Sequence, residues 1–548
     1  MFVKNLSVFT ISIKNDNMWL IMRRKIFRKI AISLFFTFLF SFQNLYCEIS
    51  VQYFGGAGRV SGSNGLLNTD DCSVIIDCGS FYDEGNLQTD NSYIPKKIIN
   101  AKAMILTHAH MDHSGRIPLL ISEGFKGKIY CTPATKQILF EVLDDGWNFE
   151  YVKQKYFWSS DKMKKIKKYH KGILTLHWYD DCKSNIKDIY KSSKKYSVDQ
   201  LSKQYKIDCK ICKHCLNRYL EELKEQFVEV NYHQNINLSE NLSFYLFDAG
   251  HIPGSSSVFF NVKDSKHKRT IVVSGDLGSA YSNLLSQKEI APLADYVFVE
   301  TTYGGISNDV NLIDYITFQR DIAANLKKGN RVWIPALSLN RTQKVLYEIK
   351  EGQNNDIIPI NVPVFSLSPS SNGITSLYEN EIKNPSEQKW FNDSVYQGKT
   401  ILPQNYTENR PKEFPIPSII ISASGMMDQG VSYGLLNKLL PFENTSVFLV
   451  SYVSPLTPAG KLKNNAKTIK TKYGQVIDVK AQTNVYNIFS DHPDSQELLH
   501  WLSNQDKNNS SIFLVHGELK ILEKCQKFYK QQGYNKVKIA NFEKILIN

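Results

Sequence analysis

The sequence predicts an α/β protein in which one domain is interrupted by a second. The chain has 548 residues, too many for one ordinary hydrophobic core. Short apolar strands and polar, glycine-bearing turns fill residues 48–302, strand–helix alternation fills 303–480, and the first style returns over 481–548. Because the first pattern resumes after the second, we interpret 303–480 as an inserted domain. A hydrophobic content of 42% excludes a largely disordered chain.

The predicted strands differ between these parts. Those of the first part are short apolar runs that mostly end beside a histidine or an aspartate. They cover residues 73–76, 103–106, 244–247 and 270–273. In the inserted part, residues 332–335 and 418–422 are each followed by a predicted helix, which is typical of a mostly parallel sheet. A lysine-rich, largely helical insertion covers about 136–232 of the first part.

Residues 1–47 have the layout of a secretory leader. A basic block at 23–29 precedes an apolar stretch at 30–42, after which an alternating strand begins at Ile49. An uncleaved membrane anchor is the alternative. A leader predicts a secreted, periplasmic or membrane-anchored protein, and a cytoplasmic protein is the alternative location. The chain has no run of twenty apolar residues, so we expect no transmembrane bundle.

Three histidines and an aspartate follow one short apolar strand within six residues. They are His108, His110, Asp112 and His113. Alternate residues of an extended segment face the same way, so His108 and His110 can hold one ion. Asp112 and His113 then lie on the turn into the next helix, where they can face a second ion. This mixture of imidazole and carboxylate suits a borderline metal such as zinc, and a solvated surface loop is the alternative.

Four further polar residues stand at the ends of predicted strands. They are Asp77, His251, Asp276 and His516. A single polar residue at such a position is usually only part of a turn. Together with the strand that ends before His108, they make five strand ends with the same metal-binding chemistry, which is hard to obtain by chance. Strand ends also suit a functional site, because a rigid sheet positions the side chains and the loops leave room for a substrate.

These residues resemble the metallo-β-lactamase superfamily and, within it, the β-CASP nuclease branch. The resemblance covers about residues 50–548 and includes six further motifs. They lie at 55–58, 299–304, 341–343, 422–427, 489–492 and 515–518. The resemblance implies an αββα metallo-β-lactamase sandwich with an inserted α/β β-CASP domain.

The same resemblance implies two Zn²⁺ ions per chain, with Asp276 bridging them. The implied ligands of the first ion are His108, His110 and His251, and those of the second are Asp112, His113 and His516. Asp77 is expected to shape the site without binding metal. Glu300 and His492 match motifs at the boundaries of the inserted domain.

Two divalent ions about 3.5–4 Å apart can share a hydroxide and hold a phosphodiester for in-line attack. Asp112 belongs to this predicted catalytic machinery. The leaving oxygen still needs a proton, and His492 is the predicted general acid. Glu300 is expected to accept a hydrogen bond from it, which fixes the tautomer and raises the pKa of His492. The alternative is a structural histidine near the junction between the two domains, with its hydrogen bonds satisfied there.

We expect the inserted domain to cap the site and to bind phosphates of the substrate. Arg341 lies between a predicted strand and a helix, where a phosphate is readily bound. Ser422, Ser424 and Gly425 belong to a loop of small residues whose amides can hold a phosphate. Ordinary strand-to-helix turns are the alternative for both segments. β-CASP proteins commonly have glycine where this chain has Asn340.

His516 bears on the substrate, because the DNA-repair branch of the family typically lacks a histidine at that position. We therefore predict a ribonuclease acting on single-stranded RNA, as an endonuclease, a 5′ exonuclease or both. The excess of 66 Lys and Arg over 53 Asp and Glu suits such a polyanion. A hydrolase of DNA or of a small ester or thioester, and a non-catalytic RNA-binding scaffold, are the alternatives. A homodimer is left open.

A cysteine cluster departs from the family pattern. It consists of Cys209, Cys212 and Cys215, with Cys182 upstream. Thiolates at this spacing suit a third, structural metal or an iron–sulfur cluster, and an exported protein would instead allow disulfides. Incidental thiols in a lysine-rich insertion are a further alternative.

Overall fold

The computed structural model describes residues 49–82, 91, 93–144, 223–264, 267–279, 284–285, 287–305, 312–381, 414–451, 453–472 and 474–547. Residues 49–548 form one compact unit. The predicted leader, most of the lysine-rich insertion and the four cysteines of the cluster lie outside the described residues. Within the described part, no helix combines the length and the apolar composition needed to cross a bilayer.

Two seven-stranded sheets form the centre of the first domain. The first sheet contains β1 (Ser50–Gly55), β2 (Asn64–Asn68), β3 (Ser73–Ile76), β4 (Ala103–Ile105), β5 (Lys128–Cys131), β6 (Phe227–Glu229) and β21 (Lys544–Leu546). The second contains β7 (Ile236–Asn237), β8 (Leu242–Asp248), β9 (Ser256–Lys263), β10 (Lys268–Val273), β11 (Tyr296–Glu300), β19 (Ser511–Val515) and β20 (Val537–Ile539). Their strand orders are β21-β1-β2-β3-β4-β5-β6 and β20-β19-β11-β10-β9-β8-β7.

Helices flank the sheets of both domains. Those of the first domain are α1 (Lys96–Ile99), α2 (Met111–Ser114), α3 (Ile117–Ser122), α4 (Pro133–Asp144), α10 (Ser495–Trp501) and α11 (Leu519–Gln531). Those of the inserted domain are α5 (Leu312–Lys327), α6 (Arg341–Asn354), α7 (Pro369–Glu381), α8 (Gly430–Leu439) and α9 (Pro458–Lys463).

Alternation of side chains along each strand assigns them to different layers. Val74 and Ile76 of β3 pack in one core cluster with Phe260 of β9, between the two sheets. Ile75, which lies between them in sequence, packs in a different cluster with Ile98 of α1. The same alternation operates in β11, where the inner and outer faces contribute to separate clusters. The resulting layers are helix, sheet, sheet and helix, so the predicted αββα sandwich is confirmed.

The inserted domain contains a five-stranded sheet of parallel strands. They are β12 (Arg331–Pro335), β13 (Val364–Ser366), β14 (Ser418–Ser422), β15 (Thr445–Leu449) and β18 (Gln482–Val485), in the order β13-β14-β12-β15-β18. A separate hairpin contains β16 (Thr468–Lys470) and β17 (Val476–Asp478). The strands are joined through helices, as expected for parallel neighbours.

Strand β18 corrects the predicted boundary between the two domains. The sequence assigned 481–548 to the returning part of the first domain, but Gln482–Val485 pairs with β15 of the inserted sheet. β18 is an edge strand with no fully buried residue. Its polar sequence therefore lacks the apolar run that identifies buried strands, and the prediction that the insertion ends at 480 is wrong by several residues.

Parallel pairing brings the carboxyl ends of several strands to a common edge. Strands β3 and β4 are parallel neighbours in the first sheet. Strands β10, β11 and β19 are parallel neighbours in the second. The segments that leave these strands contain the polar residues singled out in the sequence, so the fold itself gathers them.

Candidate metal centre

The chain turns sharply where two of these strands end. Asp77 directly follows β3 and His516 directly follows β19, and both have left-handed backbones, with φ of 60° and 49°. Non-glycine residues adopt this conformation at a cost and mainly at functional sites. Both side chains are almost fully buried, at 2% and 4% exposure. At these turns both side chains point toward His113, which they contact.

One group of possible ligands contains three histidines and an aspartate. His110 Nδ1 lies 3.1 Å from both His108 Nε2 and His251 Nε2. Asp276 Oδ2 lies 3.7 Å from His108 Nε2 and 3.9 Å from His251 Nε2. A tetrahedral zinc ion with bonds of about 2.0–2.1 Å requires ligand atoms roughly 3.3 Å apart. The group therefore has the dimensions of such a site.

A second group lies beside the first and shares Asp276. His113 Nε2 is 3.1 Å from both His516 Nε2 and Asp276 Oδ1. Asp112 Oδ2 is 3.6 Å from His516 Nε2. The potential ligand atoms of each group all lie within 4.8 Å of one another. The seven side chains that the sequence singled out are thus brought together as two adjacent groups.

Hydrogen bonds fix the tautomers of the first group. Thr107 Oγ1 lies 2.8 Å from Asp77 Oδ2 and donates its proton there, so it can only accept from His108 Nδ1 at 3.1 Å. His251 Nδ1 lies 3.1 Å from the backbone carbonyl of Asp491, which likewise can only accept. Both rings carry their proton on Nδ1, and their Nε2 lone pairs face the centre.

The second group is oriented in the same way. His113 Nδ1 lies 2.7 Å from Asp77 Oδ2, where a proton is required. Thr302 Oγ1 donates to the backbone carbonyl of His516 and therefore accepts from Nδ1 of that ring at 3.1 Å. When both rings are neutral, as metal binding requires, the Nε2 atoms of His113 and His516 are acceptors that face each other. Asp77 therefore orients His113 directly and His108 through Thr107, and it is a member of neither ligand group.

Facing lone pairs and buried carboxylates call for cations between them. Asp276 Oδ1 is a buried oxygen without a hydrogen-bond donor among the described residues. In the metal-free protein, burial opposes ionisation of Asp276, but the positive charge of protonated histidines, His113 first, outweighs burial and holds the pKa of this carboxyl well below its usual range. Burial also lowers the pKa of His251 to about 3, so this ring stays neutral and able to coordinate. The residues fit two divalent ions.

His492 and Glu300 form a hydrogen-bonded pair beside this centre. His492 Nδ1 is 2.9 Å from Glu300 Oε1, and Glu300 is fully buried. The carboxylate also accepts from the backbone amides of Leu277 and Thr302. Burial lowers the pKa of His492, but the charge of Glu300 and its hydrogen bond outweigh burial and raise it to about 9. The His492 ring centroid is 4.8 Å from that of His251.

Three family models match consecutive parts of the chain. The metallo-β-lactamase superfamily matches residues 57–178, the Beta-Casp domain matches 342–462, and the Zn-dependent metallo-hydrolase RNA specificity domain matches 476–540. The chain belongs to the β-CASP branch of the metallo-β-lactamase superfamily. The inserted domain is therefore a β-CASP domain.

The chain is also similar to curated proteins over most of its length. Ribonuclease TTHA0252 of Thermus thermophilus is 25% identical, over 89% of this chain and 97% of that protein. Transcription termination factor FttA of Methanocaldococcus jannaschii is 24% identical, over 89% of this chain and 70% of that protein. RNase aCSPSF2 of Saccharolobus solfataricus is 24% identical, over 84% of this chain and 78% of that protein.

The β-CASP domain contributes a buried charge cluster next to the centre. Arg341 Nη2 is 3.1 Å from Asp491 Oδ2, and Lys344 Nζ is 2.6 Å from Asp491 Oδ1. Arg341 Nη1 also donates to the backbone carbonyl of Val450. The guanidinium is thus committed to protein partners and is only 8% exposed. Binding of a phosphate by Arg341 stays a prediction.

The predicted phosphate loop is only partly a loop. Ser422 is the last residue of β14 and is buried, with its hydroxyl bonded to Trp333 Nε1 and Ser432 Oγ. The hydroxyl of Ser422 is therefore used within the protein, and binding of a phosphate through the backbone amide at this position stays a prediction. Ser424 and Gly425 do lie in a loop, where Ser424 Oγ donates to Asp428. Their role toward phosphate stays a prediction.

The sequence reasoning assigned no role to several residues of the centre. Thr107 and Thr302 fix tautomers, and Asp491 orients His251 while binding the cations of α6. Each directly precedes or closely follows a residue that was singled out. Threonine and aspartate are common in such positions, so only their spatial partners identify them. The described cysteines outside the cluster, Cys72, Cys78, Cys131 and Cys525, are buried free thiols.

Proposed function

We propose that the protein is a zinc-dependent ribonuclease that hydrolyses phosphodiester bonds of single-stranded RNA with two Zn²⁺ ions. The observation that carries the proposal is the position of Asp276. Its Oδ2 faces His108 and His251, while its Oδ1 lies 3.1 Å from His113 Nε2. One buried carboxylate therefore serves two complete ligand groups at once, which is the arrangement a paired-ion hydrolase needs.

The ions would be held by the two histidine groups described above. When bound, divalent ions in such a pair activate water and neutralise charge on a phosphodiester. The protein supplies the orientation of the ligands, because each of four imidazoles is fixed through its Nδ1 by a neighbouring acceptor. Ligands held in this way bind metal more tightly than freely rotating side chains.

His492 supplies the proton for the leaving oxygen in this proposal. Glu300 holds its Nδ1–H, so the opposite nitrogen, Nε2, carries the proton that can be transferred. The raised pKa keeps the ring protonated at neutral pH. Because Glu300 is fully buried and accepts two backbone amides, the pair is rigid. Rigid placement of a general acid favours transfer in the transition state.

RNA is favoured over other substrates by three considerations. Two of the similar proteins are named ribonucleases, and the family model over 476–540 is described as an RNA specificity domain. A hydrolase of small esters or thioesters needs neither the β-CASP domain nor the His492–Glu300 pair. A non-catalytic scaffold would not need two complete ligand groups. DNA remains the competing polymer, and the experiment below compares the two directly.

The test uses purified full-length protein, labelled single-stranded RNA and DNA of the same sequence. We expect cleavage of RNA that stops when a chelator removes the metal and returns when two equivalents of Zn²⁺ are restored. The lengths of the products distinguish internal cleavage from stepwise removal of 5′ nucleotides. RNA cleavage that persists in metal-depleted protein, or faster cleavage of the DNA, would contradict the proposal.

A further inference from the structure

Helix α6 begins with an asparagine in an unusual state. Asn340, its N-cap residue, has a left-handed backbone with φ of 66° and is fully buried. An N-cap asparagine normally accepts a hydrogen bond from an amide of the first turn, yet the side chain of Asn340 makes no such bond. The positive φ, combined with ψ of −52°, is a costly conformation for any residue other than glycine. The side chain must therefore have a different role.

The side chain of Asn340 reaches across to the metal centre. Its Nδ2 lies 3.2 Å from the backbone carbonyl of His251, and its Oδ1 lies 2.9 Å from the hydroxyl of Tyr378 in α7. A carbonyl oxygen can only accept, so the amide nitrogen must be the atom facing His251. Tyr378 then donates to Oδ1. This hydroxyl, also fully buried, holds the amide in one orientation.

His251 is thereby held at three points. Its backbone amide donates to Ser255 Oγ at 2.9 Å, and its Nδ1 donates to the Asp491 carbonyl at 3.1 Å. Asn340 binds the remaining polar group of the backbone, the carbonyl. Ser255 belongs to the first domain, whereas Asn340 and Tyr378 belong to helices that flank the sheet of the β-CASP domain. The third contact therefore joins a candidate metal ligand to the other domain.

We propose that Asn340, oriented by Tyr378, is a positioning residue for His251, through which the β-CASP domain sets the geometry of the first metal group. The inference rests on the proposed function only in requiring that this group binds zinc. Loss of the Asn340 amide frees the His251 carbonyl and allows the backbone that carries the imidazole to shift. Contacts that orient ligands without touching the metal typically change metal affinity by about 10- to 100-fold.

The experiment measures Zn²⁺ affinity by competition with a chromophoric chelator in full-length protein. Asn340→Gly removes the amide and suits the left-handed backbone, while Asn340→Asp keeps the acceptor for Tyr378 and removes the donor for His251. We expect either change to weaken binding of one of the two ions by about tenfold. We expect Tyr378→Phe to give a smaller loss, because the amide stays but is no longer held. The visible spectrum of Co²⁺-loaded protein should change with Asn340→Gly, since it reports ligand geometry.

Asn465→Gly is the matched control, because Asn465 also has a left-handed backbone, with φ of 59°, but is exposed in the same domain. It should leave Zn²⁺ affinity unchanged, and every affinity is measured at a temperature at which the metal-free variant is still folded. Affinities of both Asn340 variants within twofold of wild type would overturn the proposal, as would an equal loss in Asn465→Gly. Wild-type protein that binds two Zn²⁺ ions without cleaving RNA would remove the proposed activity and leave this inference intact.

Discussion

His492 and Glu300 are joined by a hydrogen bond of 2.9 Å although they stand 192 residues apart in the chain. Glu300 is the last residue of β11, and His492 lies in the segment that returns from the β-CASP domain. The pair therefore forms only when the second domain has been inserted and the chain has come back to the first. In the proposed ribonuclease, this makes proton donation depend on correct assembly of both domains.

The first prediction concerns proton donation. His492→Ala should lower kcat for RNA cleavage by roughly 10²- to 10⁴-fold, because general acid catalysis contributes about that much. The Zn²⁺ content should stay at two per chain, since His492 is not one of the proposed ligands. His500→Ala, at an exposed histidine on α10, is the control and should be near wild type. Undiminished cleavage by His492→Ala would rule out the general-acid role alone.

The second prediction concerns the second metal group. Asp112→Ala removes a carboxylate whose Oδ2 lies 3.6 Å from His516 Nε2. We expect the metal content to fall from two Zn²⁺ ions to one and RNA cleavage to be abolished, because the proposed mechanism needs both ions. Metal analysis and a cleavage assay check this together. Asp478→Ala, at an exposed position of β17, should change neither, and full activity of Asp112→Ala would contradict the site assignment.

The third prediction concerns the stability of the domain junction. Asp491 is 7% exposed and bonds both Arg341 and Lys344. Asp491→Ala leaves two buried cations without their partner, so it should lower the free energy of unfolding by about 3–5 kcal/mol. Glu229→Gln, which breaks the more exposed pair with Lys136, should cost no more than about 1 kcal/mol. Urea unfolding of metal-free protein compares them, and similar losses would contradict the argument.

The fourth prediction concerns pH. Burial raises the pKa of Glu348 in α6 to about 7, and the hydrogen bond from Gln319 only partly offsets it. A raised carboxyl pKa means that the folded state binds the proton more tightly than the unfolded chain. This tighter binding of the proton stabilises the folded state. The stabilisation is fully present below about pH 4.5 and is lost as the pH rises through about 7.

Glu348→Gln should remove this dependence, because the neutral amide keeps an acceptor for Gln319 and never ionises. The variant should gain about 2–3 kcal/mol relative to wild type between pH 5 and pH 8. Urea unfolding at several pH values measures the difference. A difference between the two proteins that stays constant over that range would show that Glu348 does not titrate there.

Much of the centre could be located from the sequence because its residues follow strands. An apolar run marks a buried strand, and a histidine or aspartate shortly after it lies near the strand's carboxyl end. Asp77, Asp276 and His516 were identified in this way, and the structure brings them together. The same reasoning did not find the edge strand β18, whose sequence is polar, and it did not show that the Ser422 hydroxyl accepts a hydrogen bond from Trp333.

The sequence by itself determined which residues could bind metal, that two α/β domains alternate along the chain, and that strand ends would carry the centre. These features are local, because periodicity and residue type depend on neighbours a few positions away. Only the tertiary structure decided that Asp491 binds Arg341 and Lys344, and that Asn340 reaches His251. Each of these contacts joins segments 89 to 150 residues apart, and a hydrogen bond forms only when both atoms are placed within about 3 Å.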